Sequence, residues 1–261
     1  ESFPPILLMG IRFMFAASIL IWWFPIPKGY LKKIFIASLI ANTLQYSITY
    51  TGLNLIDASA AVLLVQTEVP FGVIFAYFLL KEKPTIRALV GISVAFIGVY
   101  ILTGSPNLDG KFIGIALTIL GSAIWALGQV IVKPLSKEIN PLALVAWLAI
   151  FSGPILIGIS ALIDGNTINY LTEASLNHWM IAFYIGFIMQ PITYGCFYYV
   201  LKNNPLYKVL PIVTMGIPPT GLLAAIFLLG EKPTPELFIG GAIIIVGVIL
   251  IVFTKNKKEE E

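Results

Sequence analysis

Long apolar runs separated by short polar turns follow one another along the whole chain. Many of these runs contain about 20 residues, the length that an α-helix needs to cross the hydrocarbon core of a bilayer. The connecting segments, such as residues 25–29 and 203–205, are short and rich in proline, glycine and asparagine. The pattern predicts an all-α polytopic membrane protein. Its nine predicted spans are residues 6–24, 32–52, 58–80, 86–103, 111–134, 141–163, 176–201, 208–229 and 236–254.

An internal repeat links two parts of this pattern. Residues 70–104 return in altered form at 219–253, at a constant offset of 149 residues, and thirteen of the thirty-five aligned positions are identical. The identical positions include the sequence Glu-Lys-Pro-Thr, which begins at Glu82 and again at Glu231. The chain is therefore predicted to be a duplicated unit. The predicted parts are a first repeat, a second repeat and a charged tail, at residues 1–104, 105–254 and 255–261.

The two predicted copies differ by one helix. Subtracting the offset from the span at 111–134 places its counterpart before the chain begins. The second copy therefore has five spans and the first has four. The simplest interpretation is a bundle in which nine of ten expected spans are present and the first helix is missing. The alternative is a natural nine-span protein.

Lysine and arginine residues lie almost entirely on one side of the predicted membrane. One side carries thirteen of them, whereas the other carries only Lys111 and Lys232. The thirteen are Lys28, Lys32, Lys33, Lys81, Lys83, Arg87, Lys133, Lys137, Lys202, Lys208, Lys255, Lys257 and Lys258. Positive residues favour the cytoplasmic side, so the C-terminal tail is predicted to be cytoplasmic. Because five spans per copy is an odd number, the copies insert in opposite orientations and form an inverted five-helix repeat, which is typical of transporters.

Two charged residues, Arg12 and Glu68, lie well inside predicted spans. An ionisable residue at this depth costs about 3 kcal/mol and marks a candidate functional site. Glu68 is predicted to couple transport, by carrying a proton or by binding the amine of a substrate. The alternative is a structural partner for Arg12 or for backbone groups that Pro70 leaves free. For Arg12 a structural role is favoured, by snorkelling towards the membrane surface or by pairing with Glu68.

Polar residues recur at helical spacing within three predicted spans. Such stripes are costly against lipid, so they are predicted to face the protein interior or a polar cavity. The stripes are Asn42, Gln45, Tyr46, Thr49 and Tyr50; Thr118, Ser122, Trp125 and Gln129; and Gln190, Tyr194 and Tyr198. The predicted substrate-binding residues are Gln45, Tyr46, Thr49, Glu68, Trp125, Gln129, Gln190, Tyr194 and Tyr198. The alternative is hydrogen bonding between helices, which uses the same residue types.

Glycines and prolines predict close packing and interrupted helices. Two glycines seven residues apart occur in each copy and are predicted to pack helices rather than to form a site. They are Gly91 and Gly98 in the first copy, and Gly240 and Gly247 in the second. Prolines inside spans free backbone carbonyl groups and are predicted to kink the helix. These prolines are Pro70, Pro191 and Pro219.

The sequence lacks the patterns of common enzyme classes. It contains no HExxH, P-loop, GxSxG or CxxC pattern. One histidine, His178, and one cysteine, Cys196, are too few for a typical zinc site. No stretch combines basic and aromatic residues in the manner of a nucleic-acid site. We therefore predict no enzymatic activity, no cofactor, no metal and no nucleic-acid partner.

The order of these features resembles the EamA family of the drug/metabolite transporter superfamily over essentially the whole chain. The resemblance rests on the segment Pro-Pro-Ile-Leu-Leu-Met-Gly-Ile-Arg-Phe at 4–13, on the twin Glu-Lys-Pro-Thr sequences, and on Asn-Pro-Leu-Ala-Leu at 140–144. It implies a ten-helix inverted-repeat exporter with both termini cytoplasmic. Segments 4–14 and 184–195, followed by the region of Pro211, are most similar to exporters of amino acids and their metabolites. The departure is the missing first helix, which in this family helps to line the central cavity.

We therefore predict a secondary transporter of the cell inner membrane. It would export small polar metabolites, amino acids or their derivatives, by alternating access around a mid-membrane cavity. Its partners would be the lipid bilayer, the small-molecule substrate and protons. The alternatives are a nucleotide-sugar or other metabolite exchanger of the same superfamily, and a non-transporting membrane assembly or regulatory protein.

Overall fold

The computed structural model describes residues 3–214 and 216–252, without the side chains of Ile212 and Val252, and all regular secondary structure in them is helical. The predicted tail at 255–261 lies outside the described residues. The α-helices are α1 Pro5–Leu20, α2 Leu31–Ser38, α3 Gln45–Leu53, α4 Ala58–Val65, α5 Glu68–Leu80, α6 Ile86–Thr103, α7 Phe112–Glu138, α8 Pro141–Ile163, α9 Thr167–Glu173, α10 Leu176–Phe183, α11 Gln190–Asn203, α12 Leu206–Thr214, α13 Ile217–Leu229 and α14 Pro235–Val252. Two π-helical segments, Leu39–Leu44 and Tyr184–Met189, join α2 to α3 and α10 to α11, and a short 3₁₀ turn covers Pro106–Leu108.

Helical structure occupies each of the nine predicted ranges, and the protein is an all-α polytopic membrane protein. Five stretches of the described chain are long and apolar enough to cross a bilayer: Ala58–Leu80, Ile86–Thr103, Phe112–Glu138, Pro141–Ile163 and Leu176–Asn203. Large apolar side chains such as Leu162 and Leu228 are more than four-fifths exposed (86% and 81%), as helices surrounded by lipid require. The count of nine spans and the missing first helix stay predictions.

The chain forms two compact units that differ from the two predicted repeats. The first unit consists of the described residues up to Tyr50 together with Ile131–Asn203. The second consists of Thr51–Val130 together with the described residues from Asn204 onwards. Each unit therefore draws its helices from both halves of the sequence.

In the first unit, α1 packs closely against α8 and against the π-helical segment Tyr184–Met189. A Cβ atom added at Gly10 would lie 2.6 Å from Cγ1 of Ile157 and 3.1 Å from the carbonyl oxygen of Gly153. Phe13 is almost fully buried and belongs to the core of this unit. Small residues thus let α1 approach its neighbours at backbone distance, as in many membrane helix pairs.

In the second unit, α6 packs along α14 through glycines. A Cβ atom added at Gly91 would lie 2.6 Å from the carbonyl oxygen of Gly247. One added at Gly98 would lie 2.7 Å from the carbonyl oxygen of Gly240. A Cβ atom added at Gly240 or Gly247 of α14 would meet backbone atoms of α6 that are equally close. The predicted packing role of the paired glycines is confirmed.

The span Ala58–Leu80 is interrupted, because Pro70 has no backbone N–H to donate. The carbonyl oxygen of Gln66 instead accepts a hydrogen bond from the amide of Val69, at 3.1 Å. α4 therefore ends at Val65, and α5 begins at Glu68, which lies 4% exposed at the start of the new helix. The predicted break at Pro70 is confirmed.

The two Glu-Lys-Pro-Thr sequences form turns of the same design. Immediately before each glutamate, Lys81 and Gly230 take left-handed backbone conformations with φ of 59° and 69°, and they end α5 and α13. Each threonine then begins the following helix: the Thr85 side chain accepts from the amide of Ala88, at 3.3 Å. Helix ends of this kind satisfy backbone groups that would otherwise lack partners.

The glutamates of these turns cap other helices of the second unit. Oε1 and Oε2 of Glu231 accept hydrogen bonds from the amides of Ala58 and Ser59, at 2.8 and 3.0 Å, at the start of α4. Oε2 of Glu82 accepts from the amide of Leu206, at 3.0 Å, at the start of α12. A carboxylate at a helix N-terminus also interacts favourably with the helix dipole.

Replacing Glu231 by alanine should lower the free energy of unfolding by about 2 kcal/mol, because two amides at the start of α4 lose charged acceptors. The measurement is thermal unfolding of the purified full-length protein in detergent. Glu138→Ala serves as the control, since Glu138 is exposed in the last turn of α7. Equal melting temperatures for the two variants would contradict the capping role.

Candidate functional site

Four tyrosines of the first unit form a group of aromatic rings, here called the tyrosine cluster: Tyr46, Tyr50, Tyr194 and Tyr198. The hydroxyl groups of Tyr46 and Tyr194 share a hydrogen bond of 2.9 Å. The rings of Tyr46 and Tyr50 stack with centroids 5.8 Å apart, and those of Tyr194 and Tyr198 are also 5.8 Å apart. The ring contacts lie within each helix, and the hydrogen bond between the hydroxyl groups joins residues 148 positions apart in sequence.

The helices hold two rings of the cluster at buried positions and two at partly buried ones. Tyr46 and Tyr50 lie one turn apart on α3, and Tyr194 and Tyr198 lie one turn apart on α11. The edge of the Phe13 ring packs on Tyr46, with centroids 5.6 Å apart. Because Tyr198 is only 2% exposed, its hydroxyl is removed from lipid and bulk water.

Amide side chains extend this polar region. Nε2 of Gln45 donates to Oγ1 of Thr49 at 3.0 Å, and Nδ2 of Asn42 donates to Oγ of Ser152 at 3.2 Å. Among the described residues, Oε1 of Gln45 and Oε1 of Gln190 are buried without a hydrogen-bond partner. Buried polar atoms normally have partners, so these two oxygens can accept hydrogen bonds from a bound molecule or from water.

Gln45 and Gln190 occupy equivalent places in the structure. Each one directly follows a π-helical segment and begins an α-helix. The 149-residue offset of the repeat instead aligns Gln45 with Tyr194. The two helices differ in length, since α3 has 9 residues and α11 has 14, so no single offset relates all their positions.

Arg12 lies beside the tyrosine cluster. Its Cζ atom is 5.9 Å from the centre of the Tyr194 ring, within the range of a cation–π interaction. Nη1 makes one weak contact, at 3.7 Å, with Sδ of Met9, and Nε is buried without a partner among the described residues. Arg12 is not among the binding residues predicted from the sequence, although a charged residue inside an apolar span indicates a candidate functional site.

The remaining candidates belong to the second unit. Glu68 and Gln129 are 4% and 1% exposed, and one side-chain oxygen of each lacks a partner in the described chain. Trp125 lies one turn before Gln129 on α7. Thr118 and Ser122, from the same predicted stripe, use their hydroxyls to donate to backbone carbonyls of their own helix.

The structure brings together part of the predicted set. Within the first unit, Tyr46 contacts Tyr194, Gln45 contacts Thr49, and Tyr194 lies next to Tyr198. Gln190 is buried on α11 without a described partner for its oxygen. Glu68 and Gln129 are buried in the second unit, and Trp125 lies on the same helix as Gln129. A role for any of the nine residues in substrate binding stays a prediction.

Two further features bear on chemistry. No group of three or more histidine, cysteine, aspartate or glutamate side chains in the described ranges could hold a metal ion.

A groove of about 620 Å³ opens on the first unit beside Leu142, Pro191 and Tyr199, and its lining is almost entirely apolar. That groove suits hydrocarbon, whereas the tyrosine cluster with Arg12 offers hydroxyl and guanidinium groups to a polar molecule.

Comparison with known proteins agrees with a membrane transporter. The EamA-like transporter family matches residues 1–104 and 112–253. The chain is 27% identical over 262 residues to a "Probable amino-acid metabolite efflux pump" of Escherichia coli (strain K12), covering 97% of this chain and 87% of the relative. It is 30% identical over 241 residues to an "Uncharacterized transporter" of Clostridium kluyveri, covering 89% and 74% of the two chains.

A solved structure has the same fold. A crystal structure aligns with a TM-score of 0.68 at 15% sequence identity, over 97% of this chain and 90% of the other. At this identity the similarity concerns the fold alone.

Proposed function

Because the chain belongs to the EamA-like transporter family, we propose that it is a secondary transporter that exports small polar metabolites, amino acids or their derivatives. The observation that carries the proposal is the tyrosine cluster, a largely buried group of polar side chains with a hydrogen bond between two helices, in a protein whose exposed apolar side chains suit lipid. The names of the relatives from Escherichia coli and Salmonella typhimurium, both probable amino-acid metabolite efflux pumps, support this substrate class.

Alternating access by two inverted repeats is the proposed mechanism. It is supported by pairs of matching features in the two halves of the sequence: the turns that follow α5 and α13, and the interruptions before α5 and α13. It is also supported by the capping glutamates, since Glu82 caps a helix of the second half and Glu231 caps a helix of the first. Broken helices are typical of transporters of this design.

The proposed binding residues of the first unit are those in and next to the tyrosine cluster. Tyrosine rings and hydroxyls with glutamine amides provide contacts for a small molecule that has both apolar and polar parts. Tyr46, Tyr194, Tyr198, Gln45, Thr49 and Gln190 would contact the substrate. In the second unit we propose that Glu68 couples transport and that Trp125 and Gln129 contribute to binding. The distribution of lysine and arginine supports a cytoplasmic C-terminus.

Replacing Tyr46 or Tyr194 by phenylalanine should raise the substrate concentration for half-maximal export about five- to tenfold. A hydrogen bond contributes about 1–1.5 kcal/mol, and 1.4 kcal/mol corresponds to a tenfold change. The measurement is release of labelled amino acids from cells that express the full-length protein and were loaded with a graded series of concentrations. Because the two hydroxyls bond to each other, the double variant should be little worse than either single variant.

Tyr199→Phe is the matched control for this prediction. Tyr199 lies on the same helix, α11, but is 63% exposed. Export that is unchanged in Tyr46→Phe and Tyr194→Phe, or reduced equally by Tyr199→Phe, would argue against a substrate site at the tyrosine cluster.

A further inference from the structure

We propose that Arg12 binds the carboxylate group of the transported molecule, so that the substrates of this protein are small carboxylates. The inference rests on the proposed transport function and narrows its substrate class. It assigns to Arg12 a role different from the structural one that its sequence position favoured.

The positive charge of Arg12 has no negatively charged partner among the described residues. The residue lies near the middle of α1, in an apolar helix where a guanidinium group is costly without a partner. A salt bridge of the described residues joins Lys111 to Asp57 and does not involve Arg12. Its Nε is buried without a partner, and its contact with Sδ of Met9, at 3.7 Å, is weak. An anionic group from a bound molecule would supply the missing charge.

The backbone at Arg12 is held firmly in place. A Cβ atom added at Gly186 would lie 2.7 Å from the carbonyl oxygen and 3.0 Å from Cα of Arg12. α1 therefore touches the π-helical segment Tyr184–Met189 at this residue, just before that segment leads into Gln190 and Tyr194. A binding group that is positioned before the ligand arrives loses less entropy on binding.

The tyrosine cluster adds donors next to the guanidinium group. Tyr46 and Tyr194 share one hydrogen bond, at 2.9 Å, which uses one of their two hydroxyl protons. The other proton is available to an acceptor, while the Arg12 guanidinium lies 5.9 Å from the centre of the Tyr194 ring. A carboxylate, with two acceptor oxygens, can take hydrogen bonds from an arginine and a phenol together.

The same cluster suits the rest of an amino acid. The faces of the Tyr46 and Tyr50 rings, stacked 5.8 Å apart, can attract an ammonium group through cation–π interactions. An arginine for the carboxylate and aromatic faces for the amine and side chain together match a zwitterionic α-amino acid. Molecules that lack a carboxylate would forgo the Arg12 contact.

The test compares carboxylates with carboxamides. Full-length wild type, Arg12→Gln and Arg12→Lys are reconstituted in liposomes loaded with an equimolar mixture of the twenty amino acids and their α-carboxamides, and efflux of each is followed by mass spectrometry. The wild type should prefer the carboxylates about ten- to hundredfold, the range that hydrogen bonds between charged groups give. Arg12→Gln should bring the ratio of carboxylate efflux to carboxamide efflux close to one. Arg12→Lys should give an intermediate ratio, because lysine lacks the planar fork of arginine.

Several results would overturn the inference. One is a wild-type ratio of carboxylate efflux to carboxamide efflux near one. Another is the same ratio in Arg12→Gln as in the wild type, with only the overall efflux rates lowered, since that pattern indicates a structural role. If Arg12→Gln fails to fold, as judged by gel filtration, an unchanged ratio in Arg12→Lys counts against the proposal. Arg87→Gln, at an exposed arginine of α6, is the control and should keep the wild-type ratio.

Failure of the proposed transport function can be distinguished from failure of the carboxylate site at Arg12. If the wild type releases neither the amino acids nor their carboxamides, transport of amino acids is rejected, and thermal unfolding then tests the role of Arg12. The amino-acid mixture should raise the melting temperature of the wild type and not that of Arg12→Gln, because a ligand stabilises the protein that binds it. Equal shifts for both proteins, or no shift for either, would overturn the carboxylate site.

Discussion

Replacing Glu68 by glutamine should abolish the response of transport to a pH gradient while leaving a folded protein. Glu68 is the first residue of α5, is 4% exposed, and lies inside the span Ala58–Leu80. Glutamine has nearly the same size and can form hydrogen bonds, but it cannot release or bind a proton at this position. In the proposed mechanism the protonation of Glu68 links the pH gradient to the movement of substrate, so the variant loses this link.

The fold should tolerate this change. A buried charge is costly even at a helix N-terminus, so the neutral variant should melt at or above the wild-type temperature. Efflux from proteoliposomes is measured with and without an imposed pH gradient. The gradient should accelerate efflux by the wild type at least severalfold and efflux by the variant not at all. Glu173→Gln, at an exposed glutamate that ends α9, is the control. A folded Glu68→Gln variant that still responds to the gradient would remove Glu68 from the coupling mechanism.

Replacing Gly98 by valine should cause the largest loss of stability. A Cβ atom at this position would lie 2.7 Å from the carbonyl oxygen of Gly240 and 2.7 Å from the amide nitrogen of Ile244. Both are backbone atoms, so they cannot rotate away and α6 must separate from α14. Overpacking of this kind costs about 3 kcal/mol, and helix pairs in membranes depend on close packing because lipid supplies no hydrophobic drive between them.

Thermal unfolding of the purified full-length variants measures the effect. Gly98→Val should melt roughly 10 °C below the wild type, or should fail to accumulate in the membrane. Gly158→Val is the matched control, because Gly158 also lies inside a helix, α8, and an added Cβ atom there meets nothing within 4 Å. Similar melting temperatures for the two variants would show that the glycines of α6 do not determine its packing.

Local sequence signals predicted some helix boundaries to the residue. The bounds of α6 and α8 are those expected from the apolar runs. The Asn140 side chain accepts from the amide of Leu142 at 2.9 Å and so fixes the start of α8, while Thr85 begins α6 in the same way. Capping of this kind depends on neighbouring residues alone, which is why the sequence is sufficient.

The π-helical segments could not be predicted in this way. Neither Leu39–Leu44 nor Tyr184–Met189 has a side-chain pattern that distinguishes it from an α-helix. The second segment is fixed by tertiary packing, since Gly186 lies against the backbone of α1 at Arg12. Because such segments add residues to a helix turn, they also shift the register of the residues that follow.

The candidate site was partly visible in the sequence. The spacing of Tyr46 and Tyr50, and of Tyr194 and Tyr198, indicated polar stripes that turn away from lipid. The hydrogen bond between Tyr46 and Tyr194 joins helices that are distant in sequence, so helical periodicity could not predict it. The position of Arg12 against the Tyr194 ring likewise depends on how α1 crosses its neighbours.

Export of amino acids by the purified protein is the most direct test of the central claim. Full-length protein is reconstituted in liposomes loaded with a mixture of amino acids, and efflux is followed by mass spectrometry with and without a pH gradient, beside liposomes without protein. We predict selective efflux of a few amino acids, reduced in Tyr194→Phe and unchanged in Tyr199→Phe. Efflux equal to that of protein-free liposomes for every amino acid would contradict the proposed substrate class and the substrate site at the tyrosine cluster.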